Sequence, residues 1–372
     1  MKISDYNTEF YLKGRLIQER KNKSLPQEEL NYLKDIFDSS EYLSSNFPDV
    51  IFSSRNFEMI DANIESDVYK YKHGKKFYLI KISENSNQVS PFDREIKALQ
   101  NRNLWKIAPR FLYQETQQQQ ENIDFIITTF EAGYPVNEIG ISGLQKQIRT
   151  FANTVSYLHE YTSHESSEET KEFFEYISDL VDFKEILPEE TYESFIQIPI
   201  LSKVEDIISK IRNDAEKEIE KLSVDDISLC HLNYSNKKVL FRDGLFKFVN
   251  FEKSFYVDPI WDILFALFAF KFNLDEDYKN IFVNQYFKSH QSTFLTAKEA
   301  NKKIRSYEKT VAKVFLLKII ASNFYERVLF DTERPTKYLQ LARFYESIRS
   351  IIGREYEDYI DTLDKMFYIY SE

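Results

Sequence analysis

The sequence predicts an α+β chain: a small antiparallel β unit, then a large helical region with a β-hairpin embedded in it. Three observations carry this. Between Phe57 and Phe130, short β-branched and aromatic runs recur around one amphipathic helix. Beyond Gly133, apolar residues recur at three- and four-residue intervals almost to the C-terminus. That texture is interrupted where Asp243-Gly244 separates Val239-Leu-Phe from Leu245-Phe-Lys-Phe-Val249, a short hairpin signal.

Residues 1–50 read as a polar helical extension. Pro26-Gln-Glu-Glu29 offers a helix start, with proline in the first turn and acids at the positive end of the dipole. Leu30, Leu33, Ile36 and Phe37 then share one face. Residues 51–132 carry five strands and one helix. The strands are Phe57–Ala62, Asp67–Tyr71, Phe77–Ser83, Arg110–Gln114 and Ile123–Phe130, and the helix is Asp93–Asn101. Gly74 centres the turn between the second and third strands, and Gln117–Gln120 lie in a solvated hairpin loop. Residues 133–372 form the helical region. A continuous stripe runs from Leu144 through Ile148, Phe151, Ala152 and Val155 to Leu158. Further helices are expected at Phe173–Leu187, Val204–Leu222, Trp261–Phe272, Lys298–Phe330 and Pro335–Tyr370.

Composition excludes several function classes. With 49 Lys and Arg against 60 Asp and Glu, the net charge is −11, and a nucleic-acid partner is not expected. The single Cys230 rules out an intrachain disulfide framework and a cysteine-rich zinc site. Five histidines without His-x-His or His-x-x-x-His spacing make a histidine metal site unexpected. Seven glycines in 372 residues, against a usual ~7%, disfavour a glycine-rich phosphate loop. The apolar run Ile260–Phe272 is broken by Asp262 and Lys271 and is too short to span a bilayer. The N-terminus lacks the layout of a signal peptide, so no membrane partner and a cytoplasmic location are expected.

The stretch Leu229-Cys-His-Leu-Asn-Tyr-Ser-Asn-Lys-Lys-Val-Leu-Phe241 resembles the catalytic loop of the aminoglycoside phosphotransferase and choline kinase family. That loop typically reads His-Gly-Asp, four residues, Asn, then an apolar strand. The stretch Phe248-Val-Asn-Phe-Glu-Lys-Ser-Phe-Tyr-Val-Asp-Pro-Ile-Trp-Asp262 resembles the family's metal-binding segment and the Asp-Pro-x-x-Asp that follows it. The resemblance implies a two-lobed protein-kinase-like fold: an N-lobe at 51–132 and a C-lobe at 133–372, with an acceptor-site insert at 161–225. Lys81 falls where the family's phosphate-binding lysine sits, and Glu95 where its helical glutamate partner sits. His231 and Asp262 fall where the family braces its loop.

The departures concern the chemistry itself. Asn233 stands at the catalytic aspartate, Lys238 at the metal-binding asparagine and Asn250 at the metal-binding aspartate. An amide is far too weak a base to accept the acceptor's proton. A neutral amide at 250 removes the carboxylate that Mg²⁺ prefers, and a lysine at 238 repels the ion. Glu252 is the one carboxylate close enough in sequence to take over as a metal ligand. Ala62–Asp67, at the nucleotide-covering turn, contains no glycine. The resemblance with these losses implies a pseudokinase that binds a protein, peptide or small molecule in the interlobe cleft or acceptor groove. No cofactor is expected, with at most weak ATP binding without Mg²⁺ through Lys81, Glu95 and Lys238. The alternative is an active phosphotransferase, or another nucleotide-dependent transferase, with non-standard catalytic residues acting on a small hydroxyl compound or a peptide. The plain reading of Lys81 and Glu95 is an ion pair joining sheet to helix, and that of His159 a satisfied core or surface histidine.

Overall fold

The computed structural model describes residues 27–62, 66–84, 90, 92–116, 123–162, 169–182, 199–222, 226–234, 238–290, 297–324 and 335–368. The extension before Gln27, most of the Ala62–Asp67 turn, the Gln117–Gln120 loop and parts of three expected helices (183–187, 325–330, 369–370) lie outside them. The chain forms two compact units, one from residues 9–132 with 249–252, the other chiefly from 133–248 and 253–372.

In the sheet unit, helices α1 (Gln27–Ser39) and α2 (Glu41–Asn46) precede strands β1 (Phe57–Ala62), β2 (Asp67–His73) and β3 (Lys76–Glu84). Helix α3 (Asp93–Gln100), then β4 (Phe111–Thr116) and β5 (Ile123–Thr129), complete it. The strands form one antiparallel sheet in the order β1-β2-β3-β5-β4. Gly74, at φ +58°, makes the β2–β3 turn in a conformation that costs glycine nothing. The first two helices share the core of the sheet: Leu30, Leu33, Ile36, Phe37, Leu43 and Phe47 pack with Phe57, Tyr69, Tyr71, Ile80, Ile82, Phe125 and Ile127. Ser40 caps α2 by accepting from the Leu43 amide at 3.3 Å, and donates to Glu115 of β4 at 2.5 Å. Strand alternation sends the next residues the other way. Ile126 meets Phe92 and Ile96 of the α3 segment, and Lys81, its neighbour in register, joins that side.

The helical unit contains the short strand β6 (Tyr134–Pro135) and helices α4 (Val136–Lys146), α5 (Ile148–Glu160), α6 (Thr170–Asp179) and α7 (Pro199–Ile219). Strands β7 (Ser228–Cys230), β8 (Val239–Arg242), β9 (Leu245–Phe248) and β10 (Phe255–Val257) follow. Helices α8 (Pro259–Ala269), α9 (Glu276–Ser289), α10 (Ala297–Phe324), α11 (Pro335–Ile352) and α12 (Glu357–Tyr368) end the chain. The stripe read as continuous from Leu144 to Leu158 is two helices, because Gln147 closes α4 with its amide on Gly143 and Leu144 and opens α5 with its carbonyl. Pro335–Tyr370 likewise divides, at Gly353, whose amide ends α11 on the Arg349 carbonyl before Glu357 and Asp358 start α12. Asp243 and Gly244, both at positive φ, form the β8–β9 hairpin, and β6 adds to its β8 edge. Helix α8 is buried along its whole length, packed by α10 and α11. This burial places Asp262, on the first turn of α8, in the centre of the unit.

Candidate functional site

Two centres carry the residues singled out above, one in each unit. In the sheet unit, Lys81 on β3 extends to Glu95 on α3, and its ammonium bonds that carboxylate directly. The same ammonium lies 2.5 Å from Glu252. The three side chains are only 3%, 2% and 6% exposed. Burial opposes the lysine's charge, but the nearby Glu252 and Glu95 outweigh it and hold the ammonium's pKa above the ordinary lysine range. Burial raises Glu95, with Glu252 adding to the rise and Lys81 opposing it. The cluster with all three groups ionised sums to one negative charge. Asn250, two residues before Glu252, sits at φ +65°, a left-handed conformation that asparagine tolerates.

These residues do not fit Mg²⁺. The carboxylate that would hold it is the amide of Asn250, and Glu252 is engaged by Lys81. Lys238, the other residue expected at a metal position, lies in the turn just before β8 in the helical unit.

In the helical unit, the loop after β7 is built around Asp262. One carboxylate oxygen accepts from the Leu232 amide at 2.8 Å. The other accepts from the His231 amide at 3.1 Å and the Tyr234 hydroxyl at 2.7 Å, and lies 3.0 Å from His159 Nε2. Burial works against this charge, yet the bonds from His159, Tyr234 and the loop backbone prevail and hold Asp262 below the usual carboxylate range. His159 is fully buried, and its other ring nitrogen meets the Tyr286 hydroxyl at 2.7 Å. His231 stacks on Phe248 with ring centroids 5.3 Å apart.

Among the described residues, His159, Cys230 and Asp262 are the group of ligand-type side chains within mutual reach. Burial and the nearby aspartates push the Cys230 thiol well up, so it stays protonated, and Asp262 already accepts several hydrogen bonds. The trio is a hydrogen-bonded brace of the loop.

Leu232, which follows His231, sits at φ +50°. A leucine there carries backbone strain that its surroundings must offset. Its amide is held by Asp262, and its carbonyl accepts from Lys318 on α10. Sequence reasoning missed Lys318, because it lies 86 residues downstream on an ordinary helical stripe. A lysine inside the apolar run Val314–Ala321 was the available signal.

No family model matches the sequence, and no curated protein matches it. Solved structures do. An ethanolamine kinase from Plasmodium vivax aligns at a TM-score of 0.51 and 14% identity, covering 93% of this chain and 94% of its own. A choline/ethanolamine kinase family protein from Mesorhizobium loti aligns at 0.51 and 12% identity, covering 86% of this chain and 94% of its own. Choline kinase LicA from Streptococcus pneumoniae aligns at 0.51 and 15% identity, covering 84% of this chain and 99% of its own. The α+β chain, with its five-stranded antiparallel sheet and its helical unit carrying a hairpin, therefore has the protein-kinase-like fold of the choline and ethanolamine kinases.

Proposed function

We propose that this protein is a catalytically degenerate, aminoglycoside-phosphotransferase-like pseudokinase that works by binding a protein, peptide or small-molecule ligand, as a scaffold or regulator. The observation that carries this reading is the capture of Lys81 between Glu95 and Glu252. A lysine–glutamate pair is itself part of a working kinase site, but here a second carboxylate, Glu252, also takes the ammonium, and the cluster with all three groups ionised sums to one negative charge. One unit charge ~4 Å from another interacts by roughly 4 kcal/mol at an effective dielectric of 20, so the sign of the cluster matters. Phosphoryl transfer further relies on a metal to neutralise the phosphates and on a group that orients the nucleophile. Asn233 and Asn250 offer neither a base nor a hard anionic ligand.

Two measurements on the full chain test the proposal. Incubation with ATP, Mg²⁺ and choline, ethanolamine, aminoglycoside or sugar acceptors should give no phosphorylated product. Calorimetric titration of ATP should show a Kd of about 0.1 mM or weaker, unchanged within a few-fold between EDTA and Mg²⁺. Turnover that vanishes in Asn233→Ala or Asn250→Ala would overturn the reading in favour of an active transferase with amide-based chemistry. Tightening by Mg²⁺ of tenfold or more would show that the cluster opens to hold a metal.

A further inference from the structure

In a protein of net charge −11, the segment from Arg94 to Arg110 carries five cations and one acid, Glu95. Glu95 is buried on Lys81, whereas all five cations are exposed. Two of them converge on one indole. The guanidinium carbons of Arg102 and Arg110 each lie 5.7 Å from the centre of the Trp105 ring, so they are at most twice that distance apart. Among the described residues, neither guanidinium forms an ion pair or a hydrogen bond. The ring between them attracts each cation weakly and neutralises neither.

The rest of the arrangement is anchored. Leu104 is fully buried within the short 3-10 helix Arg102–Lys106, and Asn101 caps that helix by accepting from the Asn103 amide at 3.1 Å. Trp105 is half-buried and donates its indole N–H to the Leu99 carbonyl at 3.0 Å. Its one polar group is therefore used within the protein, and what it offers outward is apolar ring. Arg110 is fixed at the start of β4 by its amide, which donates to Thr129 Oγ1 at 2.9 Å.

We propose that Arg102, Trp105 and Arg110 form a docking surface for a short acidic segment of a partner protein. Tryptophan and arginine are the side chains that most often carry the energy of protein–protein interfaces. A planar guanidinium matches a carboxylate with two parallel hydrogen bonds. In an extended segment, side chains two residues apart lie about 7 Å from one another on the same side, within the span of the two guanidinium groups. Two such acids take one arginine each, and the peptide between them runs along the indole. A nucleic acid fits less well: a long polyanion extends past this patch onto a molecule of net negative charge, whereas a short acidic segment ends within it. The surface goes beyond the pseudokinase reading and does not depend on it, since an active transferase could dock a partner in the same way.

The test is fluorescence anisotropy of a labelled synthetic peptide of alternating Glu and Ser, titrated with the full-length protein. The same peptide with Gln in place of Glu is the control. The expected result is saturable binding with a Kd of about 0.3 mM or tighter at ~20 mM salt, weaker by about threefold or more at ~200 mM. Arg102→Gln and Arg110→Gln should each weaken it by about threefold or more, the size of one exposed ion pair, and the double variant should abolish it. Both side chains are exposed, so thermal unfolding of these variants should match the wild type. Lys171→Gln, which removes an exposed cation on α6, should leave binding unchanged. Absence of saturable binding, equal binding of the Gln peptide, or an equal effect of Lys171→Gln overturns the proposal. So does an oligothymidylate that binds more tightly than the peptide and loses that affinity in the arginine variants, which would assign the surface to single-stranded nucleic acid. ATP turnover would sink the pseudokinase reading and leave this measurement untouched.

Discussion

Replacing Lys81 by methionine removes the ammonium that bonds both Glu95 and Glu252 in a buried cluster. Their side chains are 2% and 6% exposed, so water cannot make up for the lost ammonium. Removing one partner of a buried ion pair costs about 3–5 kcal/mol. The expected cost of Lys81→Met at pH 8 lies in that range, because both carboxylates lose the ammonium. The cost depends on pH with a definite sign. Without the lysine, the rise that burial gives Glu95 loses its main opposition, so its folded pKa lies above its unfolded one. Protonation therefore restores stability as the pH falls, and the deficit grows as the pH rises through the folded value, by up to ~1.4 kcal/mol per pH unit. Urea denaturation at pH 5.5, 7 and 8 measures this, with Trp105 fluorescence reporting on the sheet unit and Trp261 on the helical unit. Adding Glu95→Gln and Glu252→Gln to the variant should recover at least ~2 kcal/mol and flatten the pH response, because the charge is then gone with its partner. A loss below ~1 kcal/mol for Lys81→Met, with no pH dependence relative to the wild type, would refute the reasoning. Lys81 would then be available to a phosphate, as an active nucleotide-dependent transferase requires.

Further outcomes follow from the same structure. Asp262→Asn should destabilise the helical unit by about 3–5 kcal/mol in chemical denaturation, since an amide cannot accept from both loop amides, Tyr234 and His159 together. The stabilisation due to Asp262 is present above its unfolded pKa and is lost as the pH falls through its depressed folded value, so an acid titration of the wild type should show a transition that the variant lacks. Gly133→Ala should cost about 1–3 kcal/mol, because its Cβ would meet Leu240 Cβ at 2.9 Å where β6 pairs with β8; thermal unfolding of the purified variant measures it. Lys318, lowered to about 7, holds fewer protons in the folded chain than in the unfolded one between there and about 10.5. The stability of the wild type relative to Lys318→Met should therefore rise between pH 7.5 and 9.5, by up to ~1.4 kcal/mol per unit; a constant difference would show the ammonium to be fully solvated.

Much of this molecule is legible in its residues because local rules set it. Alternation along Lys76–Glu84 turns Ile80 and Ile82 to one face and Lys81 to the other, whatever the rest of the chain does. Acids in the first turn of Asp93–Gln100 and the turn residues Gly74 and Asp243-Gly244 likewise act within a few residues of themselves. That residues 233 and 250 are neutral amides is a matter of residue identity, readable without any structure. What the sequence could not disclose depends on contacts between distant segments. The packing of α1 and α2 onto the sheet, the short β7–β10 pair and the helix Glu276–Ser289 carry weak local signals and exist because tertiary burial favours them.

The sequence by itself determined a small sheet, a helical remainder with a hairpin, and the neutral amides at positions 233 and 250 on which the proposed loss of kinase chemistry rests. Tertiary structure alone decided what the surviving charges do. Glu252 reaches Lys81 across 171 residues, His159 reaches Asp262 across 103, and Lys318 reaches the Leu232 carbonyl across 86. The physical reason is that a side chain's charge is given by its type, whereas its partner, and hence the work that charge performs, is set by which surfaces must be buried together.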